Sequence, residues 1–301
     1  MLWRFVQISD PHLGSETDGE WNNGFICTMM PDVIRCLKRD LEGLAPDFIL
    51  ATGDISSHQT RDAMFASRDL MDSLNVPYYP MGGNHDFVVK ESRDWFIEAF
   101  HAQLSEKRTY YSFDHKNIHF LVLDPWWKWT DGTISAISEL FVEKRQEKTL
   151  EEVRWELPQE QLDWMKADLE AHAGEPCIVS CHYPALTLPK RCEHPGLKNA
   201  GTLENGDEII EVLREYPQVK AYITGHMHMH IIEPDQGFTH VVTGALPEYP
   251  VEYRDIQVYE DRLEVHTCSL SDPSFSARSL LPGKSFTAGE ACDRHAIIPL
   301  T

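Results

Sequence analysis

Residues 76–86 read VPYYPMGGNHD, an apolar run that stops abruptly at two glycines and three polar residues. Short apolar runs bounded by turn residues are typical of buried strands, so Val76 to Met81 is predicted to be a strand. The glycines permit a tight turn directly after the strand. The turn would present the side chains of Asn84, His85 and Asp86 at the strand's carboxyl end.

The same pattern, an apolar run that ends in Gly, Asp or His, occurs five more times along the chain. These predicted strands are Leu2 to Ser9, Asp47 to Thr52, Ile118 to Leu123, Cys177 to Cys181 and Val219 to Thr224. Apolar residues at helical spacing predict helices at Pro31 to Leu44, Thr60 to Leu74, Gln159 to Leu169 and Glu208 to Tyr216. Alternating strands and helices indicate an α/β fold with a largely parallel sheet, which binds ligands at the carboxyl ends of its strands.

Three segments depart from this alternation. After Gly237, three runs alternate polar and apolar residues and predict antiparallel strands that complete a second sheet. Residues 125–158 read as an insertion that begins with Trp126, Trp127 and Trp129 and continues in a charged, helix-like run over 139–156. This insertion is either a surface helix anchored in the core or a lid beside the functional site. We therefore predict one domain over residues 1–270 and leave the tail, 271–301, unassigned.

The composition narrows the class of protein. The 301 residues include 48 acids and 27 bases, a formal net charge of −21, and 42% apolar residues. Such a chain folds into a globular domain, and its negative charge argues against stable binding to nucleic acid or to an anionic membrane. No apolar stretch reaches the length of about 18 residues that a membrane span requires. The seven cysteines form no CxxC pair, so we expect free thiols and a cytoplasmic location.

Two predicted strand ends carry carboxylates. Asp10 and His12 flank a proline, and residues two apart in an extended chain point the same way. One carboxylate and one imidazole can therefore face a common metal ion. Asp54 follows a glycine, and its two oxygens can bridge two cations, whereas a helix N-cap is the structural alternative.

Three further strand ends supply an amide and several histidines. Asn84 offers a neutral oxygen ligand, and the adjacent His85 can face elsewhere and transfer a proton. Asp86 either orients an imidazole or caps the following segment. His182 follows a strand, where a structural histidine is the alternative. The block at 225–228, GHMH, again places two imidazoles two residues apart.

Each of these residues is ambiguous alone, but together they predict a site for two divalent metal ions. In chain order, the potential ligands are Asp10, His12, Asp54, Asn84, His182, His226 and His228. Imidazole and carboxylate ligands without thiolates suit Mn, Fe or Zn. His230 is read as part of the next strand and not as a ligand. Two such cations, about 3.5–4 Å apart, clamp a phosphate and activate a bridging water as hydroxide.

The blocks resemble those of the calcineurin-like metallophosphoesterase superfamily. Its pattern D-x-H, GD, GNH[DE], H and GHxH is matched, over roughly residues 1–230, by DPH, GD, GNHD, CH and GHMH in the same order. The resemblance implies a four-layer α/β/β/α sandwich of two mixed β-sheets flanked by helices. It also implies a hydrolase whose cofactors are two metal ions.

The resemblance further implies a role for each residue. One metal would take Asp10, His12, Asp54 and His228, and the other Asp54, Asn84, His182 and His226, with Asp54 as the bridge. His85 would be the general acid or the transition-state stabiliser. Asp86 is grouped with it as a catalytic residue.

The substrate class follows from a narrower resemblance. Residues 248–254, EYPVEYR, and the short GD block resemble the cyclic-nucleotide and glycerophosphodiester phosphodiesterase branch. We therefore expect a phosphodiesterase that acts on a small phosphate ester. A phosphomonoesterase or nucleotide pyrophosphatase is the enzymatic alternative, and a protein-binding scaffold on the same fold is the alternative of another class. A homo-oligomer is compatible with the sequence.

Overall fold

The structure, a computed structural model, describes residues 1–57, 60–104, 107–136 and 153–301. Its helices are α1 (Met30–Leu44), α2 (Arg61–Asp72), α3 (Ser92–Ala99), α4 (Gln159–Ala171), α5 (Gly206–Glu215) and α6 (Ser274–Ser279). Its strands are β1 (Trp3–Ile8), β2 (Gly19–Glu20), β3 (Gly24–Phe25), β4 (Ile49–Thr52), β5 (Tyr78–Met81), β6 (Tyr111–His115), β7 (Ile118–Val122), β8 (Trp126–Trp129), β9 (Ile134–Ser135), β10 (Val153–Glu156), β11 (Cys177–Ser180), β12 (Val219–Thr224), β13 (Ile231–Pro234), β14 (Thr239–Val242), β15 (Glu252–Val258), β16 (Arg262–Ser269) and β17 (His295–Pro299). Short 3₁₀ helices lie at Cys27–Met29, Lys190–Cys192, Ser285–Ala288 and Ala291–Asp293.

Two six-stranded sheets form the centre of the molecule. The first has the order β17-β16-β15-β1-β4-β5, in which β1, β4 and β5 are parallel and the remaining strands pair antiparallel. The second has the order β13-β14-β12-β11-β7-β6, in which only the edge strands β13 and β6 pair antiparallel. Both sheets are therefore mixed, as the predicted α/β/β/α sandwich requires.

Successive residues of the second sheet belong to two different cores. Phe120 of β7 packs between the sheets, where its ring lies 5.5 Å from that of Phe5 in β1. The next residue, Leu121, belongs to the core that holds Leu162 of α4 and Leu213 of α5. Burial on both faces explains why these strands read as continuous apolar runs.

Local signals in the sequence fix the ends of the helices. α1 has Pro31 in its first turn, where the missing amide hydrogen costs nothing, and it ends at Ala45 with a φ of 50°. α2 begins after Thr60, whose hydroxyl accepts a hydrogen bond from the amide of Ala63 at 3.2 Å. Both helices therefore begin close to the residues where the sequence predicts them.

The prediction for the three runs after Gly237, antiparallel strands that complete a second sheet, is partly correct. β15 and β16 pair antiparallel with each other, but they extend the sheet that also holds the parallel strands β1, β4 and β5. β14 pairs antiparallel with β13 and in parallel with β12. Polar–apolar alternation shows which face of a strand is buried, but it does not identify the partner strand.

The described part of the insertion is a small three-stranded sheet with the order β10-β8-β9. Trp127 of β8 packs against Trp155 of β10 with 3.6 Å between the ring centroids and 35° between the ring planes. The described end of the charged run, Val153–Glu156, is thus a strand and not the predicted helix. The rest of that run lies within residues 137–152, outside the described residues.

The tail that the sequence left unassigned belongs to the first sheet. It contains α6 and ends in β17, which pairs antiparallel with β16 from His266 to Arg262. Across the described ranges of the chain, no helix is both long and apolar enough to cross a membrane.

Candidate metal centre and active site

Four of the predicted ligands meet at the carboxyl ends of the strands. Asp10, His12, Asp54 and His228 are buried, and each places a ligand atom within 4.8 Å of the others. His228 Nε2 lies 3.2 Å from Asp10 Oδ1, and His12 Nε2 lies 3.8 Å from Asp54 Oδ2. The structure therefore brings together the residues that the first cation would need.

The other three predicted ligands lie beside Asp54. His182 Nε2 is 3.4 Å from Asp54 Oδ2 and 3.3 Å from Asn84 Oδ1. The ring of His226 lies 5.1 Å from that of His182, measured between centroids. Asp54 Oδ2 therefore lies close to His12 among the first four residues and to His182 among the other three. This is the position that a bridging ligand must occupy.

The cluster joins the two sheets. The first sheet supplies Asp10, His12, Asp54 and Asn84, and the second supplies His182, His226 and His228. The amide of His226 donates to Asp10 Oδ2 at 3.0 Å, and His182 Nδ1 lies 2.8 Å from the carbonyl of Thr52. These hydrogen bonds run from one sheet to the other and fix the relative positions of the ligands.

Five of the ligands have a left-handed backbone. The φ angles are 47° at Asp10, 43° at His12, 49° at Asp54, 67° at His226 and 54° at His228. This conformation costs a non-glycine residue about 1–2 kcal/mol, and Asp and His tolerate it better than most residues. The two side chains of each pair in DPH and GHMH therefore belong to tight loops, and not to an extended strand as predicted. Such strain is typical of functional sites.

Three of the histidines have one ring nitrogen held by a protein oxygen. These pairs are His182 Nδ1 with the Thr52 carbonyl at 2.8 Å, His226 Nε2 with the Ala200 carbonyl at 3.1 Å, and His228 Nδ1 with Glu248 Oε2 at 2.7 Å. Since a carbonyl only accepts, it fixes the proton on the nitrogen that faces it and leaves the other nitrogen as a lone pair. Hydrogen bonds of this kind orient metal-binding histidines.

In the cluster, hydrogen-bond acceptors face each other in pairs. This arrangement fits metal ions, because a cation between two acceptors interacts with both. In the neutral form, with the proton on Nδ1, His228 would present a lone pair to Asp10 Oδ1, and His182 would do the same to Asp54. Among the described residues, Asp10 Oδ1 and His12 Nε2 are buried without a hydrogen-bond partner. A buried unpaired polar atom costs about 1–3 kcal/mol, and a divalent cation would satisfy these atoms.

The charges of the cluster shift the pKa values of its members. Burial raises the pKa of Asp10, but His182 and His228 outweigh that effect and lower the pKa to about 2. Burial lowers the pKa of His228, but Asp10 and Glu248 raise it to about 10. The cluster therefore stabilises positive charge beside Asp10. A bound cation would supply that charge in place of the protons.

His85 differs from the predicted ligands in its exposure and contacts. Its side chain is exposed, whereas those of Asp10, His12 and Asp54 are buried. Its amide donates to Asp54 Oδ1 at 2.7 Å, and its ring lies 4.8 Å from that of His12. The structure thus holds a solvent-accessible imidazole at the edge of the cluster.

Asp86 holds two loops together. Its carboxylate accepts hydrogen bonds from the amides of Gly83 at 2.8 Å, Ile55 at 3.1 Å and Ser56 at 2.8 Å. These contacts fix the loop after β5 against the loop after β4. The partners of Asp86 in these contacts are backbone amides, and its predicted catalytic role stays a prediction.

The structure also tests whether Asp54 is a helix N-cap and where His230 lies. The N-cap of α2 is Thr60, so Asp54 does not serve that role. His230 accepts a hydrogen bond from the amide of Gly244 at 3.2 Å and lies 3.4 Å from Glu252. It therefore belongs to a separate buried network directly before β13, and the prediction that it is not a ligand stays a prediction.

Sequence reasoning missed Glu248, which is fully buried next to His228. Besides contacting His228, its carboxylate accepts a hydrogen bond from the amide of Asn23. The available signal was a lone acid within the otherwise apolar stretch 245–251. Buried acids are rare unless they are paired, so this position pointed to a specific partner.

We expect Glu248→Gln to weaken the affinity for the first cation about 10-fold, because an amide orients and polarises His228 less strongly than a carboxylate. Titration of the metal-free protein with Mn²⁺ measures the Kd. Glu252→Gln is the matched control, since Glu252 is a buried acid that contacts Arg294 rather than a ligand. Equal Kd values for both variants would contradict the role of Glu248.

Two cavities meet at the cluster. The larger one, about 540 Å³, is bounded by Trp21, Arg154, Trp155, Tyr183 and Thr202 in addition to the ligands. The smaller one, about 300 Å³, is bounded by Ser15, Asp18, Glu20, Phe25 and Ser57. Trp21, His85 and His228 line both cavities. The cluster thus lies at the junction of an aromatic lobe, with Trp155 and Tyr183, and an acidic lobe, with Asp18 and Glu20.

Comparison with known proteins agrees with this geometry. The sequence pattern of the calcineurin-like phosphoesterase family matches residues 4–230. A 3′,5′-cyclic-nucleotide phosphodiesterase of Nostoc sp. is 26% identical over 228 residues, which are 74% of this chain and 70% of that protein. A probable glycerophosphodiester phosphodiesterase of Arcobacter nitrofigilis is 25% identical over 229 residues, 74% of this chain and 71% of that protein.

Solved structures share the fold at low identity. A dimetal phosphatase from Danio rerio superposes with a TM-score of 0.69 at 20% sequence identity, covering 90% of this chain and 99% of that one. The family match spans most of the chain and includes every predicted ligand in the cluster. The chain therefore belongs to the calcineurin-like phosphoesterase family and is a metal-dependent phosphoester hydrolase.

Proposed function

We propose that the protein is a phosphodiesterase that binds two divalent cations, Mn, Fe or Zn, and cleaves a small diester with an aromatic group such as a nucleobase. The observation that carries this proposal is the pair of lobes that meet at the cluster. A phosphodiester has a substituent on each side of phosphorus, and the lobes offer a place for each. The diesterase names of the Nostoc and Arcobacter relatives support the same choice.

The contacts of the cluster suggest how its residues divide between the cations. One cation would take Asp10, His12, Asp54 and His228, and the other would take Asp54, Asn84, His182 and His226. When bound, the cations supply Lewis acidity that neutralises phosphate charge and makes water more acidic. Asp54 would serve both cations, because its carboxylate lies between His12 of the first set and His182 of the second.

The chain's own residues provide orientation and proton transfer. Asp54 Oδ1 accepts a hydrogen bond from the amide of His85 at 2.7 Å, which fixes the backbone of His85 at the junction of the lobes. From there the His85 imidazole donates a proton to the leaving oxygen of the ester. Asp86 keeps this loop in register through its three amide contacts.

The wall of the aromatic lobe comes partly from the insertion. Trp155 of β10 packs against Trp127, and its ring lies 5.1 Å from that of Tyr183. Tyr183 in turn lies 3.9 Å from the ring of His226. A planar base can stack on such a surface, and Arg154 brings positive charge to the same wall. We therefore propose that the insertion, 125–158, takes part in substrate selection.

A substrate panel tests the proposed function. After loading with Mn²⁺, Fe²⁺ or Zn²⁺, we expect kcat/KM for bis-p-nitrophenyl phosphate and a cyclic nucleotide to exceed that for p-nitrophenyl phosphate by about 10-fold or more. A preference for the monoester or for a nucleotide diphosphate would contradict the diesterase assignment.

All seven cysteines are free thiols, which supports the proposal that the enzyme works in the cytoplasm.

Trp155→Leu tests the aromatic lobe. Loss of the indole should raise KM for the cyclic nucleotide about 10-fold, because stacking of a base on one aromatic ring contributes about 1–3 kcal/mol. KM for an alkyl diester should change much less. Trp164→Leu, on the outer core with Tyr110, is the matched control. An unchanged KM for the nucleotide in Trp155→Leu would show that the base does not bind in this lobe.

A further inference from the structure

The turn between the short strands β2 and β3 is unusual because its polar side chains are buried. The two strands pair antiparallel and leave Trp21, Asn22 and Asn23 as the residues of the turn. Both asparagines are fully buried, whereas a polar turn normally lies in solvent. Burial of a carboxamide is costly unless its oxygen and its nitrogen both have partners. The partners of the two asparagines therefore show what the turn holds in place.

Asn22 binds the backbone of a distant loop through both ends of its carboxamide. Its Oδ1 accepts a hydrogen bond from the amide of Lys198 at 2.7 Å, and its Nδ2 donates to the carbonyl of the same residue at 3.3 Å. The ammonium group of Lys198 lies over the ring of Trp21, 5.3 Å from the ring centroid. Two neighbouring residues of the turn therefore hold Lys198.

The loop that continues from Lys198 supports a predicted metal ligand. The carbonyl of Ala200 lies 3.1 Å from His226 Nε2. The next residue, Gly201, has a φ of 90°, a conformation that lets the chain turn sharply directly after that carbonyl. Asn22 thus holds the loop two residues before the atom that contacts His226.

The carbonyl of Ala200 determines which nitrogen of His226 can bind a cation. Because a carbonyl only accepts hydrogen bonds, it keeps the imidazole proton on Nε2 and leaves the lone pair on Nδ1. If the carbonyl moved away, the ring could rotate and its proton could move to the other nitrogen. The affinity of His226 for a cation therefore depends on a contact that Asn22 keeps in place.

Asn23 fixes the position of the turn itself. Its carboxamide donates to the carbonyl of Lys284 and to the hydroxyl of Thr287, each at 3.0 Å. Its backbone amide donates to Glu248, the acid that contacts His228. The turn is therefore attached to the C-terminal tail on one side and to the metal cluster on the other, so it can serve as a fixed support for the loop at 198–200.

We propose that Asn22 is a positioning residue for the second cation, the one assigned above to His226. It acts through the loop at 198–200, whose carbonyl sets the tautomer of the ligand. The first cation should depend on Asn22 much less, because Glu248 holds its ligand His228. This inference rests on the proposed division of the ligands between two cations.

Titration of metal-free Asn22→Ala with Mn²⁺ tests this role, since calorimetry gives a Kd for each of the two sites. We expect one Kd to rise about 10- to 100-fold, as is typical when a metal-binding histidine loses its supporting hydrogen bond, and the other to change less than about 3-fold. Asn205→Ala is the matched control. The carboxamide of Asn205 pairs in the same way with both backbone groups of Leu157, but it lies directly before α5, and its loss should leave both Kd values unchanged.

The imidazole proton of His226 gives a second readout that needs neither metal nor activity. NMR of metal-free protein with isotope-labelled histidine rings distinguishes the two neutral tautomers. We expect the wild type to hold the proton on Nε2 and Asn22→Ala to show a mixture of both tautomers. The signal that disappears in His226→Gln identifies the residue.

Gly201→Ala keeps the test independent of a folding defect at the buried turn. A Cβ at this position would have no described atom within 4 Å beyond the neighbouring residues, but a φ of 90° is unfavourable for alanine. The change should turn the Ala200 carbonyl away from His226 and raise the same Kd about 10-fold. Gly237→Ala, with a φ of 92° and equal space, should leave it unchanged.

The outcomes separate this inference from the proposed function. Two wild-type sites whose Kd values are unchanged in Asn22→Ala and in Gly201→Ala would overturn the inference and leave the two-cation site intact. An equal rise of both Kd values would also overturn it, because the effect would then be a general loss of structure. A wild-type protein that binds fewer than two Mn²⁺ would contradict the two-cation proposal and this inference with it.

Discussion

Asp54→Ala is expected to remove both catalytic cations and to lower kcat/KM by at least about 1,000-fold, a loss of about 4 kcal/mol of transition-state stabilisation. The reason is the central position of its carboxylate. Oδ2 lies 3.8 Å from His12 Nε2 and 3.4 Å from His182 Nε2, while Oδ1 accepts the amide of His85 at 2.7 Å. Alanine removes the shared ligand and releases the loop that carries His85.

Metal content per chain, measured after dialysis, is the primary readout for this variant. Asp62→Ala is a suitable control because Asp62 is exposed in the first turn of α2, away from the ligands. A variant that kept two cations at full occupancy would show that Asp54 does not bridge them. One retained cation would show that the two ligand sets are independent, which also contradicts the bridging role.

His85→Ala is expected to keep both cations and to lose about 100- to 10,000-fold in kcat on an alkyl diester, the range typical of a general acid. The imidazole is exposed and lines both lobes, so its removal leaves the buried ligands in place. An alkyl leaving group needs a proton, whereas p-nitrophenolate does not. The loss on bis-p-nitrophenyl phosphate should therefore be much smaller.

The comparison of leaving groups decides the role of His85. Equal losses on both substrates would indicate that the imidazole stabilises the phosphate rather than donating a proton. Wild-type rates on the alkyl diester would remove His85 from the mechanism altogether. His101→Ala serves as the control, because His101 is an exposed histidine whose ring contacts only the Glu98 carbonyl among its described contacts.

The clustering of the candidate ligands was predictable because their positions follow a local rule. Each strand of the parallel core ends in a polar block, and the sheet collects these ends at one edge. Asp10, Asp54, Asn84 and His182 could thus be assigned to one site from the sequence. The left-handed φ angles could not be predicted, because the i, i+2 spacing is equally compatible with an extended chain.

Features that depend on distant partners were missed or misjudged. Glu248 contacts His228 from a loop 20 residues away in sequence, and no local pattern pairs them. β15 joins β1 although the two strands lie at opposite ends of the chain. Asp86 directly follows the GNH block, and its partners, amides of the loop after β4 and of its own turn, could not be predicted from that position.

The metal centre takes its ligands from both sheets, and this arrangement has a consequence for the life of the protein in the cell. Cations that bind only when the sheets are docked make metal supply part of the folding equilibrium, contributing about 4 kcal/mol at a thousandfold excess over Kd. A shortage of metal would then destabilise the fold in addition to abolishing the activity. It would lower the free energy of unfolding by that amount and so raise the fraction of unfolded chains that proteases can cleave.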